Sequence, residues 1–306
     1  MNYCEHECEL ILDLWNHCNN DCVFCYNQTV MHLPLDIKKH MKLCNEMLNS
    51  NFMENFNRLR FLGGELFDGS IDQLEVHTEF IALIQTALRL LQEGKLDRVN
   101  LLTNLIYKDN KDLKETLEIF EKGGVINKID ISTSYDIAGR FTKESEQWWW
   151  DNVNWIRNTY PGMKIDVGMI LTQPLITTIT KEWIEDFDKK SKGACINFSE
   201  LDIALLKGKG KQNSPYKHLF PKRQDFIRFL KNLKDWGYFN LIGVDPGGHN
   251  PWNRIYSMQY VHVSEFNFPI FKNLSYLLTE REDFKQDGYI DSDIPLYQDI
   301  KKILEL

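Results

Sequence analysis

Along most of this chain, short apolar runs alternate with longer stretches of helical period. ELILDLW (9 to 15), RLRFL (58 to 62), RVNLLT (98 to 103), KIDISTS (128 to 134), KIDVGMIL (164 to 171) and ACINFSE (194 to 200) read as strands. Between them lie helix patterns. One is DIKKHMKLCNEMLNS, and a second runs from Gln73 to Leu91, with Val76, Phe80, Ile84, Ala87, Leu88 and Leu91 spaced by three and four. Leu113, Leu117 and Phe120 line a third, Trp155 and Ile156 lie in a fourth, and Ile179, Trp183 and Phe187 line a fifth. Gly123-Gly124 and Pro161-Gly162 stop two of these helices, as a terminal glycine or a following proline should. The pattern predicts about six βα units, hence an α/β fold with a parallel sheet, right-handed crossovers and a surface that is either open or curled toward a barrel.

In such a barrel the working loops follow the C-terminal ends of the strands. The stretch WNHCNNDCVFCYN (15 to 27) directly follows the first strand, so it and the segments after strands two, three and four converge on one site. After FIRFLKNLKDW (226 to 236), a further helix, the pattern becomes irregular, and NRIYSMQYVHVSEFNFPIF reads as one or two extended segments. This divides the chain into a barrel over 1–236 and a C-terminal extension over 237–306 that covers the barrel or its substrate.

Composition narrows the function classes. The 306 residues carry a formal charge of −8, which argues against a protein that coats nucleic acid or binds membranes through a polybasic surface. The N-terminal MNYCEHECEL has acids where a signal peptide has bases, and no window has the apolar length of a membrane span. A cytoplasmic location is therefore expected, with no membrane partner and no nucleic acid. Seven cysteines, an odd number with no even framework, argue against structural disulfides in that compartment.

Cys18, Cys22 and Cys25 make C-x3-C-x2-C. Three thiolates on one loop can hold three irons of a [4Fe–4S] cluster and leave the fourth iron open for chemistry. Zinc would need a fourth ligand, for which His17, Cys4 and Cys8 are candidates; simple burial is the third reading. FLGGELFDG then places Gly63, Gly64 and Glu65 directly after the second strand, on the same face. Glycines let backbone approach a ligand closely, and a carboxylate there can accept hydrogen bonds from an ammonium group.

With both motifs in view, the chain resembles the radical S-adenosylmethionine (SAM) superfamily. That family carries C-x3-C-x-aromatic-C after strand one, here Cys18, Cys22, Phe24 and Cys25, and G-G-E after strand two. The resemblance covers roughly residues 9 to 205 and implies a partial (β/α)6 radical SAM barrel. It also implies a [4Fe–4S] cluster and SAM as cofactors, a reducing electron donor, and cleavage of SAM to methionine and a 5′-deoxyadenosyl radical that takes hydrogen from a substrate. By the same resemblance, Cys18, Cys22 and Cys25 ligate the cluster, Phe24 contacts the adenine region, and Gly64 and Glu65, with Gly63 before them, receive the SAM amino group. His17 becomes a neighbour of the cluster, because a protein ligand on the open iron would block SAM.

TSYD after strand four resembles the Ser-x-Asp-Gly segment of the peptide-modifying (SPASM-related) branch, which nominates Ser134 for the SAM carboxylate. An arginine further along holds the same carboxylate in that branch. Arg140 is the nearest candidate and Arg157 its rival. Asn104, ending strand three, either contacts the ribose or caps the following turn.

The branch usually has a cysteine-rich C-terminal domain for auxiliary clusters, whereas no cysteine follows Cys195 here. Cys44 and Cys195 read as buried apolar-face residues. LLKGKGKQN (205 to 213) reads as a solvated loop or a phosphate cradle. The rings of WWW (148 to 150) cannot share one helix side, so at least one must meet something other than the barrel wall, for which the C-terminal extension is the expected cover. Asp245 and His249 in DPGGHNPW are candidate acid or base groups. The expected substrate is a peptide or protein. The alternatives are a nucleotide or nucleoside, with the Lys207 to Lys211 loop holding phosphate, or another small-molecule substrate, and a non-catalytic zinc or iron–sulfur binding module.

Overall fold

The computed structural model describes residues 8–15, 17–22, 25, 36–199, 217–219, 222–238, 241 and 259–264. Its strands are β1 (Cys8–Asp13), β2 (Arg58–Leu62), β3 (Arg98–Leu102), β4 (Ile129–Ser134), β5 (Lys164–Ile170), β6 (Cys195–Ser199) and β7 (Gln259–Ser264). They form one parallel sheet in the order β6-β5-β4-β3-β2-β1-β7. The first six strands lie side by side in chain order, so every crossover runs the same way. Right-handed crossovers then place all of their helices on one face. The result is an α/β partial barrel, open between its edge strands β6 and β7.

β7 comes from the irregular segment that reads as extended in the sequence. It pairs with β1 from Cys8↔Gln259 to Asp13↔Ser264, adding a seventh strand to the predicted six. Among the described residues no helix is long and apolar enough to cross a membrane.

The helices are α1 (Ile37–Leu48), α2 (Ser70–Gln73), α3 (His77–Gln92), α4 (Lys111–Lys122), α5 (Lys143–Thr159), α6 (Gln173–Thr178), α7 (Lys181–Ser191) and α8 (Arg223–Trp236). Their starts follow from local chemistry. Asp36 accepts from the Lys39 N–H at α1, Thr172 and Thr180 cap α6 and α7, and Thr142 with Ser145 forms a reciprocal capping box at α5. The single helix expected from Gln73 to Leu91 is two. Glu75, at φ 54, takes the left-handed conformation and turns the chain between α2 and α3, leaving the apolar stripe of α3 intact.

The helix-facing positions of the strands make the core. Leu10 and Leu12, Leu59 and Phe61, Val99 and Leu101, and Ile165, Val167 and Met169 are fully buried. The alternate positions face the open side and are polar below the mouth, with Arg58 and Arg60 in β2 and Lys164 and Asp166 in β5.

The tryptophan triplet is resolved by its neighbours on the helix layer. Trp149 is fully buried and donates from Nε1 to Thr133 Oγ1 at 3.2 Å. Trp150 packs on Tyr135 and Phe187 with Lys190 Nζ 3.8 Å from its ring centroid. The cover for these two rings is thus the β4–α5 loop and α7, while Trp148 stays half-buried. Trp149→Ala should cost about 3–5 kcal/mol of stability, read as a lowered urea midpoint; an unchanged midpoint would show that the cluster does not carry the helix layer.

Candidate active site

The site begins as a continuation of the β1–β2 ladder. Past the strand ends, Leu14 N–H donates to Leu62 O at 2.9 Å, Gly64 N–H to Trp15 O at 2.6 Å, and Glu65 N–H to His17 O at 2.8 Å. The glycine–glycine–glutamate segment is therefore zipped to the chain that enters the cysteine loop. Glycine is required at position 63, because a Cβ there would stand 2.9 Å from Trp15 O. Trp15 is fully buried and closes the junction by donating from Nε1 to Glu65 O at 2.7 Å.

The Glu65 carboxylate is only 1% exposed. Its Oε1 accepts from Leu66 N at 2.9 Å, Phe67 N at 3.0 Å and Thr103 Oγ1 at 2.6 Å, and its Oε2 accepts from Asn104 N. It thus joins the end of β2 to the end of β3. Burial pushes its pKa up to about 7, against the pull of the Thr103, Asn104 and Phe67 donors. The ammonium-binding role implied by the resemblance falls on a side chain that already accepts four protein hydrogen bonds.

Asn104 performs the cap considered for it, with Oδ1 accepting from Ile106 N at 2.7 Å. Its Nδ2 reaches into the cysteine loop, donating to Asn19 Oδ1 at 2.9 Å and lying 3.7 Å from Cys18 Sγ. Asn20 N lies 3.4 Å from the same sulfur. Asp68 holds the loop from the β2 side, accepting from Asn19 N at 2.8 Å and from Ser70 N and Oγ. His17 Nδ1 lies 2.7 Å from Ser70 Oγ, so its ring is engaged with the post-β2 turn.

At the end of β4, Ser134 is half-buried, and its hydroxyl has no partner among the described residues. Its register neighbour on β5 is Gly168, whose missing side chain leaves room beside that hydroxyl. Asp136 is a pin: Oδ1 accepts from Ile170 N at 2.8 Å and Oδ2 from Arg140 Nε at 2.6 Å. Arg140 is therefore part of the site, with its carbonyl accepting from Asn20 Nδ2 at 3.3 Å. Arg157 is at the other end of the sheet, donating to Met163 O and Gly193 O just before β5 and β6.

Phe24, Cys4, Lys207 to Lys211, Asp245 and His249 lie outside the described residues. Cys8 begins β1 and so stands at the opposite end of that strand from the cysteine loop. Cys44 is fully buried as expected, beside His40. Cys195 is exposed instead of buried, because it opens the edge strand β6 on the side away from the helices.

Thr103, Asp68, Asp136, Asn19 and Asn20 were not expected in the site. A polar residue within two positions of a strand end was the available signal for Thr103 and Asp136, whereas Asp68 stands well past β2 and carried none.

Burial pushes the Cys18 thiol up to about 12 and the Cys22 thiol up to about 11, with Asn20 N–H at the first and the Arg140 charge beside the second pulling back. Among the described residues no three His, Cys, Asp or Glu side chains are drawn together as a metal site. The loop nevertheless fits an iron–sulfur cluster by its donor set. It offers three soft thiols, two of them desolvated, with N–H donors at Cys18 and a guanidinium near Cys22, both of which favour thiolate.

No protein-family model and no curated protein matches this sequence. A solved structure does share its fold. The structure described as "Native anSMEcpe with bound AdoMet" superposes with a TM-score of 0.53 at 16% identity, over 77% of this chain and 61% of that one. The "X-ray structure of the FeFe-hydrogenase maturase HydG from Carboxydothermus hydrogenoformans" aligns at 15% identity and a TM-score of 0.41, over 84% of this chain and 58% of that one. The chain thus spans about three fifths of the length of each, 61% and 58%. At 16% identity the likeness to the first is one of fold alone.

Two outcomes follow for the site. Glu65 holds a proton in the folded chain at pH values where the unfolded chain has released it, so its contribution to stability is lost as pH rises from about 4.5 through about 7. Urea titrations should therefore show a steeper fall over that window in the unmodified protein than in Glu65→Gln; equal slopes would contradict the assignment. Gly63→Ala should cost about 1–3 kcal/mol, because the Trp15 carbonyl that it strikes is held by Gly64 N–H. The same titration reads that loss.

Proposed function

We propose that this chain is a radical SAM enzyme. The observation that carries the proposal is the junction of the two motifs: Gly64 and Glu65 are hydrogen-bonded to Trp15 and His17 at the mouth of a partial barrel, immediately before Cys18. The fold shared with an AdoMet-bound structure supports the reading. So does the position of Cys8, a candidate zinc ligand that begins β1 a strand's length from the cysteine loop.

In this reading Cys18, Cys22 and Cys25 hold a [4Fe–4S] cluster. When bound, the cluster supplies the electron that cleaves SAM to methionine and a 5′-deoxyadenosyl radical, which takes hydrogen from the substrate. The chain's own residues do the positioning. Asn104, Asn19 and Asp68 fix the cysteine loop. Gly63 and Gly64 keep side chains off the backbone that faces the SAM amino group, and Glu65 holds that backbone in place from behind.

Ser134 offers a free hydroxyl to the SAM carboxylate, and Gly168 clears the space next to it. Arg140, fixed by Asp136, supplies positive charge between that hydroxyl and the cysteine loop. Phe24 is assigned the adenine by motif position. The substrate proposed is a peptide or protein, by the likeness of the Ser134-to-Asp136 segment to the peptide-modifying branch.

Anaerobically reconstituted protein, reduced in the presence of SAM, should release 5′-deoxyadenosine, and alanine at Cys18, Cys22 or Cys25 should abolish it. Ser134→Ala should weaken SAM binding by about tenfold, or ~1.4 kcal/mol. Absence of 5′-deoxyadenosine from protein with a full complement of iron and sulfide would refute the proposal.

A further inference from the structure

The face of the sheet turned away from the helices is polar in each of its central strands. A closed barrel of this type fills its interior with layers of branched apolar side chains. Here one row steps across four strands: Arg60 of β2 is in register with Asn100 of β3, Asn100, whose register partner on β4 is Asp130, donates diagonally from Nδ2 to Ser132 Oγ at 2.9 Å, and Ser132 is in register with Asp166 of β5. The row lies one pleat, two residues or about 7 Å, below Leu62, Leu102, Ser134 and Gly168 at the mouth.

The acids beside and beneath this row face bases, although Glu9 Oε1 makes no hydrogen bond among the described residues. Asp130 meets Arg98 at 2.8 Å and Arg58 at 3.8 Å, and Glu9 meets Arg60 at 3.2 Å from the side. In the row itself two buried atoms have no hydrogen-bond partner among the described residues, Arg60 Nε and Asn100 Oδ1. Asn100 is 5% exposed, and an unmade bond at such a group costs about 1–3 kcal/mol. Arg60 and Asp166 keep 31% and 35% of their side chains exposed, so the ends of the row are open to a ligand.

The orphans are one donor and one acceptor on side chains in register on adjacent strands, whose backbones run about 5 Å apart. That is the pattern an amide unit satisfies, its C=O accepting from Arg60 and its N–H donating to Asn100. Charge points the same way. On this face Glu9, Asp13, Asp130 and Asp166 balance Arg58, Arg60, Arg98 and Lys164, four acids against four bases. A phosphate is anionic and seeks excess positive charge, which this balanced face does not offer.

We propose that the row Arg60–Asn100–Ser132–Asp166 is the floor of the substrate chamber and takes an uncharged amide group, a peptide bond or a carboxamide. The inference rests on the radical SAM reading for the word substrate, and on the polar row alone for the ligand's chemistry.

The test uses the full chain and N-acetylglycine N-methylamide as the probe. The probe should shift the Asn100 side-chain NH2 resonance saturably in proton–nitrogen NMR spectra, whereas inorganic phosphate should leave it unmoved. Arg60→Lys, which keeps the charge opposite Glu9 but removes Nε, should weaken probe binding by about 2- to 10-fold, the loss of one hydrogen bond. Asn100→Leu should remove the resonance and weaken binding by at least as much. A shift with phosphate and none with the amide, or equal probe affinity in both variants and the unmodified protein, would overturn the proposal. Release of 5′-deoxyadenosine, measured in parallel, tests the radical SAM reading separately, since neither NMR outcome depends on it.

Discussion

The mouth of this barrel depends on a carboxylate that faces inward. Glu65 takes hydrogen bonds from its own turn and from Thr103 and Asn104, and in doing so fixes the ends of β2 and β3 relative to each other. Everything nearer the chemistry is built on that tie. Asn104, held by its N–H, reaches Asn19 and Cys18 with its side chain, while Gly64 and Glu65 hold Trp15 and His17 through the backbone. Two strand ends and one loop thus become a single unit. The cost is a buried acid whose pKa is pushed up to about 7.

A second constraint is the division of labour between the two faces of the sheet. Singly wound crossovers put the helices on one side, and the fully buried aliphatic positions of β1 to β5 face them. Stability comes from that layer, reinforced by the aromatic cluster of Tyr135, Trp149, Trp150 and Phe187. The other face is thereby released from packing and can carry Arg60, Asn100, Ser132 and Asp166. An open sheet tolerates such residues where a closed, filled barrel would not.

Much of this was legible in the sequence. RLRFL at β2 and KIDVGMI at β5 are strands over the expected residues, because short branched runs between glycine stops and helical stripes allow little else. Cys18 and Gly63 follow β1 and β2 and Ser134 ends β4, and parallel topology brings those positions to one end. What was hidden depends on tertiary contact. The break at Glu75 leaves the apolar period undisturbed, so no local pattern marks it. β7 is a strand because the β1 edge is available, although its flanks read as irregular. The exposure of Cys195 follows from β6 being an edge, which strand order decides. The alternation of arginine with leucine and phenylalanine in β2 did signal a polar second face, and it is the one cue in the runs that bears on substrate chemistry.

The account turns on whether the Cys18–Cys22–Cys25 loop holds a cluster with an iron open to SAM. Electron paramagnetic resonance of the anaerobically reconstituted, reduced protein, recorded with and without SAM, addresses this directly. The account predicts a [4Fe–4S] signal whose g-values change when SAM is added, as a new ligand reaches the open iron. A fully formed cluster whose spectrum SAM leaves unaltered, or thiols that take up zinc and no cluster, would contradict it.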